Sequence, residues 1–327
     1  MATAMAGERV VISEVSIDDD AALARFVAFE NERNPGRVRT VVDRRAFAAR
    51  CYGAIHLVAE RAGTIVALLV GTVQDVDAGR NLQLHVLVEP GSEEAIAPLV
   101  ERVAGWSQWV ERTEAFLVSA TDPSTAELQA WRDLGFEDAG ARIAWSRAVA
   151  AHERIEVLEV DGVEVVELAS RPELLRSAHE AWLDAYAAIP DDVVSGARPG
   201  FEQWLAERLE DSGGELAPSF LVAVDAGDRV VGVGYLVPHG AGSTTLGHRF
   251  TGVVSDWRGR GVARLLKQEQ IAWAARNGFT ELRCTNHEGN HAMLHVNEVL
   301  GYERTSTIVM LRRPHSERSR ELRPDGS

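Results

Sequence analysis

Gly252-Val253-Val254-Ser255-Asp256-Trp257-Arg258-Gly259-Arg260-Gly261-Val262-Ala263 takes the chain from an extended apolar segment through a turn and directly into an amphipathic run that stops at Asn277-Gly278. Val262, Leu265 and Leu266 open one apolar face of that run, and Ala272 and Trp273 return to it at helical spacing. Asn-Gly is a suitable stop. The first-turn amides of such a helix have no internal partners and lie at the positive end of its dipole. Gly259 and Gly261 remove side chains where an anion would approach the backbone, and Arg258 and Arg260 add positive charge. The stretch has the chemistry of a pyrophosphate cradle. It is neither the dinucleotide fingerprint G-x-G-x-x-G nor the P-loop G-x-x-x-x-G-K-[ST].

The whole chain narrows the possibilities. Its 327 residues suggest about two domains, each able to bury a core. No apolar run is long enough to cross a bilayer as a helix. The start, Met-Ala-Thr-Ala-Met-Ala-Gly-Glu-Arg, lacks the basic and apolar regions of a signal peptide. A net charge of -15 argues against general binding to nucleic acid or anionic membrane, and makes the local arginine pair stand out. Cys51 and Cys284 give neither a disulfide framework nor metal-ligand spacing, so no metal site is expected. A reducing cytoplasm is the simplest location.

Taken in order, strands are expected at 10–15, 82–88, 115–120 and 143–147, with a hairpin at 56–73 turning at Ala62-Gly63. Helices are expected at about 17–32, 42–52, 95–110 and 124–134. The same order recurs. Strands fall at 163–168, 245–254, 281–285 and 305–311, with a hairpin at 220–237, and helices at 172–188, 201–209, 262–277 and 290–300. Leu57-Val-Ala matches Leu221-Val-Ala at a shift of 164, and Leu134-Gly135-Phe136 matches Leu300-Gly301-Tyr302 at a shift of 166. Two units of one kind, 8–150 and 155–312, are the economical reading. At the same shift Ser92-Glu93-Glu94-Ala95 takes the place of the Gly/Arg turn, setting carboxylates where a pyrophosphate would sit. The first unit should therefore bind no acyl-CoA there. The charged tail 314–327 is expected to be disordered.

Arg258 to Ala263 resembles the (Gln/Arg)-x-x-Gly-x-(Gly/Ala) signature of the GNAT family of acetyl-CoA-dependent N-acetyltransferases. Downstream, Asn290-His291-Ala292-Met293 opens a helix ending in Leu300-Gly301-Tyr302, and this is similar to the family's second motif. Met293, Val296 and Leu300 read as its core stripe. Asn290 reads equally as a helix N-cap and as a ligand. The resemblance covers residues 155–312, with 8–150 similar to a degenerate copy. It implies an α/β (α+β) fold of two tandem domains, each a mixed, mostly antiparallel sheet flanked by helices. It also implies a splay between the strand ending near Val254 and the strand 282–285.

What the resemblance implies for the site is specific. Acetyl-CoA would be the co-substrate, held by Thr251, Gly252, Val253, Arg258, Gly259, Arg260, Gly261, Val262, Ala263, Asn286, Asn290 and Asn297. A neutral amine would attack the thioester directly in a ternary complex, which needs a base, oxyanion-stabilising amides and an acid for the thiolate. The family's tyrosine acid falls at Asn297, which does not titrate. His295 is a substitute acid if it faces the site, and otherwise a solvated helix residue. His248 is the candidate base, on one strand face with Phe250 and Gly252, or else a packed histidine; Asp256 and Glu288 are alternatives. Loop 189–200 and the helix after it, with Asp191, Asp192, Glu202 and Glu207, would shape the acceptor site for a cationic small-molecule amine. A non-catalytic acyl-CoA-binding or scaffolding protein is the other reading, and a larger acceptor a third. Nucleic-acid and membrane partners are not expected, and the chain would be a monomer or homodimer.

Overall fold

A computed structural model describes residues 9–34, 39–51, 53–76, 79–106, 113–189, 198–210, 216–239 and 242–314. Among these, contacts define two compact units: residues up to Ala141 with those from Ile308, and Arg142 to Thr307. Most of the acceptor loop 189–200 and the tail beyond 314 lie outside the described residues.

The first unit begins with β1 (Val11–Glu14), α1 (Asp20–Arg33), α2 (Val41–Arg50), β2 (Ala54–Arg61) and β3 (Thr64–Val76). It continues with β4 (Gly79–Val88), α3 (Ile96–Ala104), β5 (Ala115–Thr121) and α4 (Thr125–Asp133). Asp19 caps α1 through the amides of Ala21 and Ala22, and Thr40 with Asp43 forms a capping box on α2. The β2–β3 hairpin turns at Ala62 and Gly63, both with positive φ, as a tight two-residue connection requires. β4 and β5 pair in parallel from Asn81↔Ala115 to His85↔Ser119. Leu57, Leu69, Leu84, Ile96, Leu99 and Trp131 are among the residues of the core beneath.

The second unit holds β7 (Val163–Glu167), α5 (Leu175–Tyr186), α6 (Phe201–Glu210), β8 (Leu221–Asp225) and β9 (Val230–Pro238). β10 (Thr245–Val253), α7 (Val262–Arg276), β11 (Glu281–His287) and α8 (His291–Val299) follow. β6 (Glu137–Ala148) and β12 (Glu303–Pro314) are each divided between the units. Both units show the same strand order, β1-β2-β3-β4-β5 in one and β7-β8-β9-β10-β11 in the other, mostly antiparallel with one parallel pair. This is the expected mixed sheet flanked by helices.

The linear division of the sequence does not follow the contacts at two strands. Residues 142–148 of β6 pair with β11, from His287↔Arg142 to Glu281↔Ala148. The end of β12 pairs with β5, from Ile308↔Thr121 to Pro314↔Ala115. Each stretch thus donates its last strand to the unit built by the other. Alternation alone marks a strand without naming the edge it joins.

His56 on β2 is a buried histidine of the first unit. Burial, and then the charge of Arg44, hold its pKa down to about 4 against Glu30's opposing pull. Folded His56 therefore stays neutral where unfolded His56 protonates, so its contribution is full above pH 6.5 and is lost as pH falls toward 4. The loss approaches roughly 3 kcal/mol at most. Denaturation midpoints measured across this range should flatten in His56→Leu; an unchanged acid slope would assign the loss to other groups.

Candidate acyl-CoA site

β10 positions the site. It pairs antiparallel with β9 from Leu246↔Pro238 to Val253↔Gly232, but runs parallel with β11 over only three rungs, ending at Gly247↔Arg283. Beyond Gly247 the strands part, since β11 stays on β6 through Asn286↔Ile143 and His287↔Arg142. The edge of β10 from His248 onward thus has no strand partner on that side. A bulge lies at the parting point, where the register moves from His248↔Leu236 to Phe250↔Tyr235 and leaves Arg249 extra.

That bulge overturns the simple alternation expected for β10. His248 and Phe250 face opposite sides of the sheet. Phe250 packs with Trp182 and Tyr235, whereas His248 turns toward Tyr302. Gly252 stays on the Phe250 side, where a Cβ would meet Ala185 of α5 at 2.5 Å. The hydroxyl of Thr251 is buried without a partner among the described residues.

After β10, Ser255–Trp257 forms a short 3₁₀ turn, and Gly259 and Gly261 take φ of 75° and 88°. This left-handed pair suits glycine and turns the loop amides toward one side. α7 starts with no side-chain cap, leaving its first-turn amides for an outside acceptor. A Cβ on Gly259 would meet nothing within 4 Å, whereas one on Gly261 would strike Leu158 at 2.7 Å. Gly261 is therefore a packing glycine as well as a left-handed turn residue.

The two arginines divide their work. Arg258 folds back, its Nε donating to the Val253 carbonyl at 3.1 Å and its Nη2 to the Asp184 carboxylate at 3.3 Å. Asp184 also accepts from the Ser255 amide at 2.7 Å and hydroxyl at 3.0 Å, so this cluster fastens the turn to α5. Arg260 is exposed and lies 4.8 Å from the ring centre of Trp257. Both arginines are exposed, and of the pair Arg258 is the one tied back to the turn and to α5. Asp256 is gripped by Arg229 at 2.8 and 3.1 Å, which holds its carboxyl below the usual range.

At the floor of the opening lies a polar cluster in which Lys267, Cys284 and Tyr302, which the sequence reading did not assign to the site, join His248, Asn286 and Asn297. Lys267 Nζ donates to Asn297 Oδ1 at 2.7 Å and sits 3.7 Å from Cys284 Sγ. Asn297 Nδ2 donates to Asn286 Oδ1 at 2.7 Å. Tyr302 Oη and His248 Nε2 are 2.6 Å apart. Asn297 is wholly buried and Lys267 1% exposed. Burial, and then the Lys267 charge, push His248 well below the usual histidine range. Burial likewise pushes Tyr302 well above its usual range, and raises Cys284 against the pull of Lys267.

Asn286, Asn297 and His248 are thus gathered at the opening, with Asn297 turned into the interior. Asn290 caps α8, its Oδ1 accepting from the Met293 amide at 3.2 Å. His295 is exposed and apart from the cluster. Leu294, not Met293, is the buried apolar residue in the first part of α8. On α7 the apolar face returns at Ile271, Ala274 and Ala275, not at Ala272 and Trp273. Lys267 shares the stripe of Ile271 and Ala274 at the i, i+4, i+7 spacing, the one signal that would have marked it as buried.

The corresponding turn of the first unit carries its own anion. Glu93 accepts from the Gly91 amide and the Ser124 hydroxyl, both at 3.3 Å, and backbone hydrogen bonding, led by its own amide, lowers its pKa. Glu94 pairs with Arg61. Beside β9 in the second unit lies a largely apolar cavity of about 650 Å³ lined by Phe220, Tyr235, Leu236, Leu246, Trp273 and Arg208. Glu202 is exposed and Glu207 is paired with Arg208, while Asp191 and Asp192 lie outside the described residues. No group of residues suited to a metal ion is found among the described residues, and no helix is long and apolar enough to cross a membrane.

A mixed sheet whose parallel pair splays above an uncapped helix start defines a GNAT-type fold. Residues 175–302 match the sequence profile of the Acetyltransferase (GNAT) family. In fold the chain is similar to a GCN5-related N-acetyltransferase from Sphaerobacter thermophilus, with a TM-score of 0.74 at 17% identity over 94% of this chain and 96% of that one. It is also similar to a tandem GNAT protein from the clavulanic acid biosynthesis pathway, with a TM-score of 0.64 at 15% identity over 94% and 99% of the two chains. Among curated proteins no match to the sequence is found.

The two cradle glycines should separate in stability. Gly259→Ala should cost about 1–2 kcal/mol for its left-handed backbone alone, and Gly261→Ala more, because Leu158 must also move. Urea denaturation of both variants tests this; equal losses would deny Leu158 a part.

Proposed function

We propose that this chain is an acetyl-CoA-dependent N-acetyltransferase that acetylates a primary amine of a small molecule. In this reading the second unit holds the acyl-CoA, and the first is a degenerate copy that holds none. The observation that carries the proposal is the continuity of one strand edge with one anion cradle. β10 loses its neighbour at Gly247 and runs into the left-handed turn and uncapped start of α7. The free edge suits the amide groups of a pantetheine arm, and the turn suits a diphosphate. In the first unit Glu93 takes up loop amides that an anion would otherwise claim.

Thr251, Gly252 and Val253 would present backbone to the arm, while the amides from Gly259 to Ala263, with Arg260, would meet the phosphates. Arg258 would act by holding the turn. The amine nitrogen attacks the acetyl carbon, the carbon–sulfur bond breaks with its electron pair on sulfur, and the nitrogen gives a proton to solvent. Backbone amides at the bulge are the natural oxyanion donors. His248 is enclosed and engaged with Tyr302, and Asp256 is tied to Arg229, so neither stands ready as a direct base. Water is the proton acceptor this arrangement favours.

The largely apolar cavity beside β9, with Arg208 at its wall, supports an acceptor with an apolar body, and the cationic amine expected from Asp191, Asp192, Glu202 and Glu207 is the other acceptor to assay. A cytoplasmic monomer or homodimer with no nucleic-acid or membrane partner completes the reading. Asn297 in place of a titrating side chain favours the second reading, an acyl-CoA-binding protein without turnover. Calorimetry of the full chain with acetyl-CoA should give one site, with Gly259→Glu weakening it at least tenfold and Glu94→Gln leaving it unchanged. Absence of binding would end the proposal. Binding without CoA release against any of a panel of amines would select the second reading.

A further inference from the structure

Lys267 is a buried amine with no carboxylate paired to it among the described residues. Its pKa is lowered by burial, and the groups that oppose this are on Cys284 alone. A methionine would fill such a place without the several kcal/mol that burying an ammonium costs. Its site is the apex of the opening. Cys284 is the first residue of β11 past the last shared rung, and His248 is the first of β10. Lys267 lies 3.7 Å from Cys284 Sγ and 4.5 Å from the ring centre of Tyr302, whose hydroxyl meets His248. Asn297 receives it at 2.7 Å and in turn reaches Asn286.

We propose that Lys267 is a positioning charge for the sulfur of the bound thioester: held at the apex by Asn297, its ammonium stabilises the departing thiolate. This rests on the acetyl-CoA reading above. The nitrogen–carbon bond forms and the carbon–sulfur bond breaks with its pair on sulfur. The nitrogen's proton goes to water, the thiolate takes one from water, and Lys267 keeps its own. Burial opposes the Lys267 charge, and the 2.7 Å hydrogen bond that its Nζ donates to Asn297 Oδ1 favours it. Gln270 and Asn297 do not titrate, and burial keeps His248, Tyr302 and Cys284 uncharged. Arg147 on β6, whose charge acts on Tyr302, is bound to Glu153 at 2.5 Å.

The test uses CoA itself, so it needs no acceptor. The thiol of CoA bound to the full chain is titrated by the ultraviolet absorbance of its thiolate, with the protein alone subtracted. The bound thiol should titrate at least about one unit below a free thiol's value near 8.5. Lys267→Met should return it to that value and lower kcat about tenfold or more, with KM for acetyl-CoA nearly unchanged. Should Lys267→Met not fold, Asn297→Leu, which removes the acceptor holding the ammonium, must bring the pKa back at least halfway. A bound thiol at its free value, or a depressed one that neither variant moves, overturns the proposal and leaves the acetyl-CoA reading standing. Failure of CoA to bind at all refutes that reading instead.

Discussion

The parting of β10 from β11 at Gly247 is the constraint on which the site depends. It is held open from both faces of the sheet. On one face Phe250 and Gly252 press against α5, through Trp182 and Ala185. On the other, Gly232 and Gly234 of β9 lie close to Val262, Leu266 and Gln270 of α7. The bulge at Arg249 seats a large ring on each side. Sliding β10 back onto β11 would unseat His248 or Phe250 and leave a cavity, which costs a few kcal/mol. An unpaired edge is ordinarily a hazard, and here it borders the cradle it would share a ligand with.

Charge is distributed to keep that cradle free. Arg258 spends its hydrogen bonds on Val253 and Asp184, and Arg229 takes Asp256. These exposed pairs add little stability each, but they remove the carboxylates that would compete with an incoming anion. In the first unit the opposite choice is made: Glu93 sits among the loop amides and supplies the negative charge from within. One turn of the fold thus either leaves its amides open or satisfies them from within, according to two or three side chains.

Behind the cleft the protein keeps polar groups where a core would ordinarily be apolar. Lys267, Asn297, Asn286, Tyr302 and His248 are linked in short steps. Such networks are costly when any member lacks a partner, and Gln270 and Thr251 nearby do lack one among the described residues. They lie beside the point where β10 and β11 part.

Much of this was legible in the chain. The Gly/Arg turn, the hairpin at Ala62-Gly63, the helix caps and the recurrence at a shift of 166 are local, set by backbone freedom and side-chain period over a few residues. They determined the element order and the glycine turn that starts α7, while the mixed sheet was implied by the resemblance those motifs carry. The tertiary structure decided which edge each last strand joins, that a bulge turns His248 away from Phe250, that Arg258 is tied back to Val253 and Asp184 and that Lys267 lies beside the point where β10 and β11 part. Those depend on partners scores of residues away, and period and propensity carry no information about which distant surface a side chain will meet.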